Sequence, residues 1–109
     1  MRLSGYTGKP MRDVSYELEG THFVWDTVKY KNNYSKHKIA FEEAATVIIN
    51  PTTEYYEDKA HSDYEERLIA VGYSDKLREL VVCHCLREDD FVIRIISARK
   101  ASKSEKQKF

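Results

Sequence analysis

The sequence predicts an α+β domain: a small antiparallel β-sheet with N-terminal helices packed on one face and a short C-terminal helix. Three observations lead there. The chain has 109 residues, about one domain's worth of core. Apolar residues recur at helical spacing before Pro51 and at extended spacing after it. The three clearest strands then follow one another through short polar connections, which favours an antiparallel meander.

Taken in order, residues 1–12 with Gly5, Gly8 and Pro10 read as a loose arm. Val14 to Leu18 alternates apolar and polar, Glu19-Gly20 marks a turn, and His22 to Trp25 resumes the extended pattern, so a hairpin is expected. Asp26 is placed to cap a helix by accepting an orphaned backbone N–H at the positive end of the helix dipole. That helix should run to about His37, with Lys36 and His37 at its negative end. From Phe41, the residues Ala44, Ala45 and Ile48 follow at i+3, i+4 and i+7, giving a second helix that closes at Asn50-Pro51. Thr52 to Tyr56 suits a short strand, followed by an acidic loop from Glu57 to Tyr64. Strands are expected over Arg67 to Tyr73, Glu79 to Cys85 and Phe91 to Ala98, each rich in Val, Ile or Leu. Ser102-Lys103-Ser104-Glu105 has the form of a capping box, so the last helix should begin there.

Composition narrows the function classes. Hydrophobic residues are 41% and aromatics 12%, with only two Pro and four Gly, which is too apolar for a disordered chain. No apolar run approaches the ~20 residues of a membrane span and none follows Met1-Arg2, so a cytoplasmic protein without membrane contact is expected. Cys83 and Cys85, two apart on one strand, cannot easily reach disulfide geometry with each other and fit a reducing compartment. The formal net charge is 0, but its distribution is uneven. Residues 27–38 hold Lys29, Lys31, Lys36 and Lys38 with no acid; residues 94–109 hold six basic side chains against Glu105; together they carry +9. Two such segments meeting in space would make a local field suited to a phosphate backbone. The plainer reading is solvated helix faces.

Phosphate-binding glycine loops, the H-E-x-x-H motif and the G-x-S-x-G nucleophile elbow are all missing, and no cofactor is expected. Cys83-His84-Cys85 is a weak metal motif: on a strand the cysteines face one way and the histidine the other, and no second such pair completes four ligands. Arg, Lys, His and Glu remain. These suit RNA phosphodiester cleavage without a metal, which needs a base for the 2′-hydroxyl, an acid for the leaving oxygen and cations for the charge gained at phosphorus. His61, Glu66 and Arg67 stand at the entry to one strand, Arg94 lies within another and Arg99 lies just past its expected end. The ordinary alternatives are a solvated His and ion-paired arginines. Arg94, sharing a strand face with Val92 and Ile96, requires a carboxylate or phosphate partner.

The run Phe23-Val24-Trp25-Asp26, with Lys29, Asn33, Lys36-His37 and Phe41-Glu42-Glu43-Ala44, continues into His61, Glu65-Glu66-Arg67 and Val71-Gly72. It ends in Arg94-Ile95-Ile96-Ser97-Ala98-Arg99-Lys100-Ala101 with Glu105. From about Phe23 to Phe109 this pattern resembles the BrnT family of type II toxins. The resemblance implies a RelE-like ribonuclease fold, metal-independent RNA cleavage that halts translation, and neutralisation by a BrnA-like antitoxin with a ribbon-helix-helix domain. It also implies a toxin dimer in a 2:2 heterotetramer that reaches operator DNA through the antitoxin. On this reading residues 1–21 are an N-terminal extension, arm or strand hairpin, and 22–109 the toxin domain. The family usually has Gly where Lys38 stands; if the backbone there takes positive φ, Lys costs roughly 1 kcal/mol. It commonly has Tyr where Phe109 stands.

The leading expectation is therefore a toxin endoribonuclease. Arg67, Arg94 and Arg99 are its phosphate contacts, His61 and Glu66 its acid–base or positioning candidates, and Lys29, Lys36, His37 and Lys100 its RNA-binding candidates, with Lys36 and His37 also in reach of acid–base work. The main alternative is a non-catalytic RNA-binding or ribosome-associated module using the same basic segments and the stackable Tyr30 and Tyr34. A third is an interaction protein whose arginines are all ion-paired.

Overall fold

The computed structural model describes residues 12–61, 66–89 and 91–108. Strands β1 (Asp13–Leu18) and β2 (Thr21–Asp26) form the expected hairpin, joined at Glu19 and Gly20, both with positive φ as a two-residue turn between twisted strands requires. Helices α1 (Thr27–His37) and α2 (Phe41–Ile49) follow, then β3 (Glu54–Glu57) and a 3₁₀ turn Lys59–His61. Strands β4 (Arg67–Tyr73), β5 (Glu79–Arg87) and β6 (Val92–Lys100) precede α3 (Lys103–Lys108). The arm expected before residue 12, the end of the acidic loop from residue 62 and Phe109 lie outside the described residues.

The α+β class holds, but the expected small antiparallel sheet does not. The sheet has six strands in the order β1-β2-β6-β5-β4-β3, and it is mixed because β2 and β6 run parallel. After β2 the two helices carry the chain to the far edge. β3 to β6 then return strand by strand, so the last strand arrives beside the second in the same direction. β2 pairs only with the first part of β6, from His22↔Val92 to Val24↔Arg94. Beyond that point α1 takes over the edge: the Asn33 carboxamide donates to the Ala98 carbonyl at 2.8 Å and accepts its N–H at 3.1 Å, as a neighbouring strand would.

The helices cover one sheet face. Phe23, Trp25, Ala70, Leu80, Val82, Ile95 and Ala98 meet Ile39, Phe41, Ala44, Ala45 and Val47 in the main core. Trp25 meets Phe41 edge-on at 5.7 Å between ring centroids, and Tyr30 stacks on Phe41 at 5.1 Å. The opposite face carries a smaller apolar cluster of Val71, Val81 and Ala101.

Local signals set the helix ends. Asp26 accepts the Lys29 N–H at 2.9 Å, and Arg12 lies 2.6 Å from the same carboxylate, which is held below its usual range chiefly by the Lys29 bond. Lys38 ends α1 in the left-handed region, φ 61°, with its N–H on the Tyr34 carbonyl at 2.8 Å. Lys38→Gly should raise stability by roughly 0.5–1 kcal/mol, seen as a melting temperature higher by a few degrees. A lower melting temperature would mean that the Lys38 ammonium, 5.9 Å from the Tyr34 ring centroid, outweighs the backbone strain.

Candidate active site

An irregularity in β6 determines what the uncovered face presents. Cys83 pairs with Ser97 but His84 pairs with Ile95, so Ile96 is an extra residue bulged from the ladder. In a regular strand, residues five apart point to opposite faces. The bulge shifts the alternation by one, and Arg94 and Arg99, opposite Cys85 and Val81, come to share a face. Arg67, also opposite Cys85, joins them from β4.

Three clefts bear on this face. A central one of about 380 Å³ is bounded by Arg67, Arg99, Cys83 and Asp58 with Ile96 and Ser97. A second of about 270 Å³ lies against α1 and is bounded by Lys29, Asn32, Lys36 and His37, again with Ile96 and Ser97. The bulge is thus the wall common to both. A third of about 460 Å³, toward the hairpin, includes Asp13, Ser15, His22 and Arg94. The two basic sequence segments, 65 residues apart at Asn33 and Ala98, therefore do meet in space.

The arginines come with carboxylates. Arg99 gives two parallel bonds to Glu105, at 2.7 and 2.6 Å. Arg99 and the Ser102 N–H pull the Glu105 carboxyl down to about 2. Ser102 and Glu105 form the expected capping box, with N–H to carboxylate at 2.9 Å and N–H to hydroxyl at 3.2 Å. Arg94 likewise gives two parallel bonds to Asp13, at 3.1 and 3.0 Å, and this pair raises its pKa against the effect of burial. The partner that Arg94 requires on its apolar strand face is thus a carboxylate, Asp13, 81 residues away and not identifiable from the residues around Arg94. The available signal was the polar alternation Asp13-Ser15-Glu17 of β1.

Other candidates are placed differently. Lys100 sits opposite Leu80, a core residue, and so belongs to the register of the helix-covered face, away from Arg99. Glu66 is exposed immediately before Arg67, while the His61 side chain lies outside the described residues. His84 is buried against Tyr55 at 5.9 Å between centroids, and burial lowers its pKa, which makes it a neutral packing residue. Cys83 opens instead on the central cleft, its thiol pKa raised mainly by burial. Among the described residues no group of three His, Cys, Asp or Glu side chains converges as a cation site.

Residues 25–105 match the family model described as ribonuclease toxin, BrnT, of type II toxin-antitoxin system. The chain belongs to the BrnT family. Among solved structures it is similar to the Brucella abortus ribonuclease toxin BrnT, with 25% identity and a TM-score of 0.57 over 72% of this chain and 94% of that one. No curated protein matches it. Membership of the BrnT family makes it a ribonuclease toxin of a type II system and implies an antitoxin partner. The BrnT match includes Arg67, Arg94, Arg99 and Glu105 but begins after Val24, leaving β1 and most of β2 outside it. No helix among the described residues is long and apolar enough to cross a membrane.

Proposed function

We propose that this chain is a metal-independent endoribonuclease of the cytoplasm that inhibits translation and cuts RNA in the Arg67–Arg99 cleft. The carrying observation is that Arg67 and Arg99, on the uncovered sheet face, line a cleft that shares the Ile96–Ser97 bulge with a second cleft lined by Lys29, Lys36 and His37 of α1. The 2′-oxygen would attack phosphorus as the bond to the 5′-oxygen breaks, leaving a cyclic phosphate and a 5′-hydroxyl. One group takes the 2′ proton and another returns one to the departing oxygen. Arg67 and Arg99 would hold the oxygens whose charge grows. Lys29 and Lys36 would carry the flanking backbone, with His37, Glu66 and His61 as candidates for the two proton transfers. Arg94 belongs to the same surface, but its fork is already taken up by Asp13.

The finer family expectations belong to the same proposal: a RelE-like ribonuclease fold over residues 22–109, with 1–21 as an extension. They also include a BrnA-like ribbon-helix-helix antitoxin, a toxin dimer in a 2:2 complex and operator contact through the antitoxin. An antitoxin that blocks this surface needs acidic groups to match it. Incubated with RNA in EDTA, the purified chain should cleave an excess of substrate, and its expression alone should arrest bacterial growth and lower translation. RNA retained but uncut would favour the non-catalytic binding module; neither binding nor toxicity at verified expression would remove the reading altogether.

A further inference from the structure

Asp13 stands on β1, the sheet edge strand, and Arg94 on β6, with β2 between them. The carboxylate reaches over β2 on the uncovered face and gives an oxygen to each terminal nitrogen of Arg94, at 3.0 and 3.1 Å. This ion pair differs physically from the one at Arg99. The Arg99 and Glu105 side chains keep 41% and 23% of their exposure, so Glu105 can hydrate when a phosphate takes its place. The Asp13 side chain keeps only 4%, and Arg94 21%. Asp13 is also fixed by a short side chain to a strand paired in register from Asp13↔Asp26 to Leu18↔Thr21. A phosphate approaching Arg94 would have to displace a carboxylate held almost wholly out of solvent, and burial makes that exchange unfavourable.

We infer that Asp13 is a positioning residue that withholds Arg94 from RNA and thereby sets how tightly this toxin holds its substrate. The inference rests on the proposed function of the face. It concerns a strand outside the segment that matches the BrnT family model, so the device belongs to the part of this chain that the family pattern does not describe. A guanidinium neutralised by its own carboxylate releases no counterion when RNA binds, whereas a freed one does.

The number of such contacts is read from the salt dependence of binding, which a merely structural role of Asp13 would leave unchanged. The probe is a single-stranded 2′-O-methyl oligoribonucleotide, which cannot be cut because the attacking hydroxyl is blocked. Asp13→Asn should bind it more tightly at low salt, gaining about fivefold over wild type for each tenfold fall in salt. Its slope of log affinity against log salt should steepen by about 0.7, one contact on a single strand. Asp13→Glu, which keeps the carboxylate, should retain the wild-type slope. In the charge-neutral pair Asp13→Asn with Arg94→Gln, the slope should again be that of wild type, and this variant decides the matter if Asp13→Asn alone does not fold. A folded Asp13→Asn with an unchanged slope overturns the inference, as does a double variant whose slope is shallower by about 0.7, because Arg94 would then already be touching phosphate. If the wild-type chain cleaves unmodified RNA while either result is found, only the role of Asp13 fails. If it neither binds nor cleaves RNA, the proposed function fails and takes this inference with it.

Discussion

Arg99→Ala should lower RNA cleavage by at least about 100-fold, the effect of losing one preorganised donor to a developing oxyanion, and should leave the chain folded. Arg99 is held opposite Val81 in β6 and borders the central cleft together with Arg67. Glu105 already binds it with two parallel hydrogen bonds, the same geometry in which a guanidinium holds two oxygens of a phosphate. The partly exposed pair contributes little to stability, and without Arg99 the Glu105 carboxylate can still accept the Ser102 N–H at the start of α3. The loss should appear mainly in kcat, with circular dichroism and melting temperature close to wild type. Arg99→Lys should recover little, because a point charge cannot reproduce the fork. Lys103→Ala and Lys106→Ala, exposed on the short terminal helix, should change the rate only slightly. A folded Arg99→Ala variant of full activity would show that the central cleft is not where RNA is cut.

Arg78→Ala should have the largest effect on stability, a loss of about 3–5 kcal/mol and a melting temperature lower by roughly 15 °C or more. Its partner Glu43 lies in the first turn of α2 with its side chain 3% exposed. Arg78 donates from both Nε, at 2.9 Å, and Nη2, and the Ser74 hydroxyl donates at 2.7 Å. Removing Arg78 leaves a carboxylate away from water with the Ser74 hydroxyl as its remaining side-chain hydrogen-bond donor and Lys76 as a nearby charge. The pH response should distinguish this from simple loss of packing. In the wild type the Glu43 carboxyl is held below its ordinary value of 4.5, first by the Arg78 bonds. Its contribution is therefore complete above that value and is lost as pH falls through the depressed one. In Arg78→Ala, burial pushes the same carboxyl upward, so acidification should restore stability before general acid unfolding begins. Replacing both residues by Met should return most of the loss, since a buried pair can be exchanged for apolar groups of similar volume. An Arg78→Ala variant as stable as wild type would mean that the Glu43 site opens readily to water.

The parts of this molecule that could be read from sequence are those whose physics is local. Asp26 announces α1 because a carboxylate at that position has a helix N–H to accept, and Ser102 and Glu105 announce α3 in the same way. β4 has the expected bounds Arg67–Tyr73, while the other two expected strands run two residues further than their apolar stretches, to Arg87 and Lys100. What could not be read depends on distant pairing. Nothing near His22 indicates that it will lie beside Val92 in a parallel ladder. The bulge at Ile96 has no local marker: Phe91 to Ala98 reads as an uninterrupted strand ending before Arg99, and strict alternation carried on through the observed strand would put Arg94 and Arg99 on opposite faces. Strand alternation also hides Asp13 as a partner, because it says which side a residue faces but not which strand lies two positions away. Glu43 reads as an acidic residue at a helix start, where charge suits the dipole; its burial depends on the Ser74–Arg78 turn packed over it.

The order of strands also governs when this surface can exist during synthesis. β6 is the last strand of the sheet to be made, yet it occupies an interior place between β2 and β5 and supplies Arg94 and Arg99. A nascent chain that has produced β1 to β5 holds two separated pieces, a hairpin and a three-stranded meander, with no backbone ladder joining them. Closing the sheet must bring Val24 to Arg94 across most of the chain, a contact of long sequence separation of the kind that slows folding. The central cleft is completed only after Arg99 has emerged, and its carboxylate partner Glu105 follows six residues later. Incomplete translation products thus lack Arg94, Arg99 and the strand that joins the two halves of the sheet.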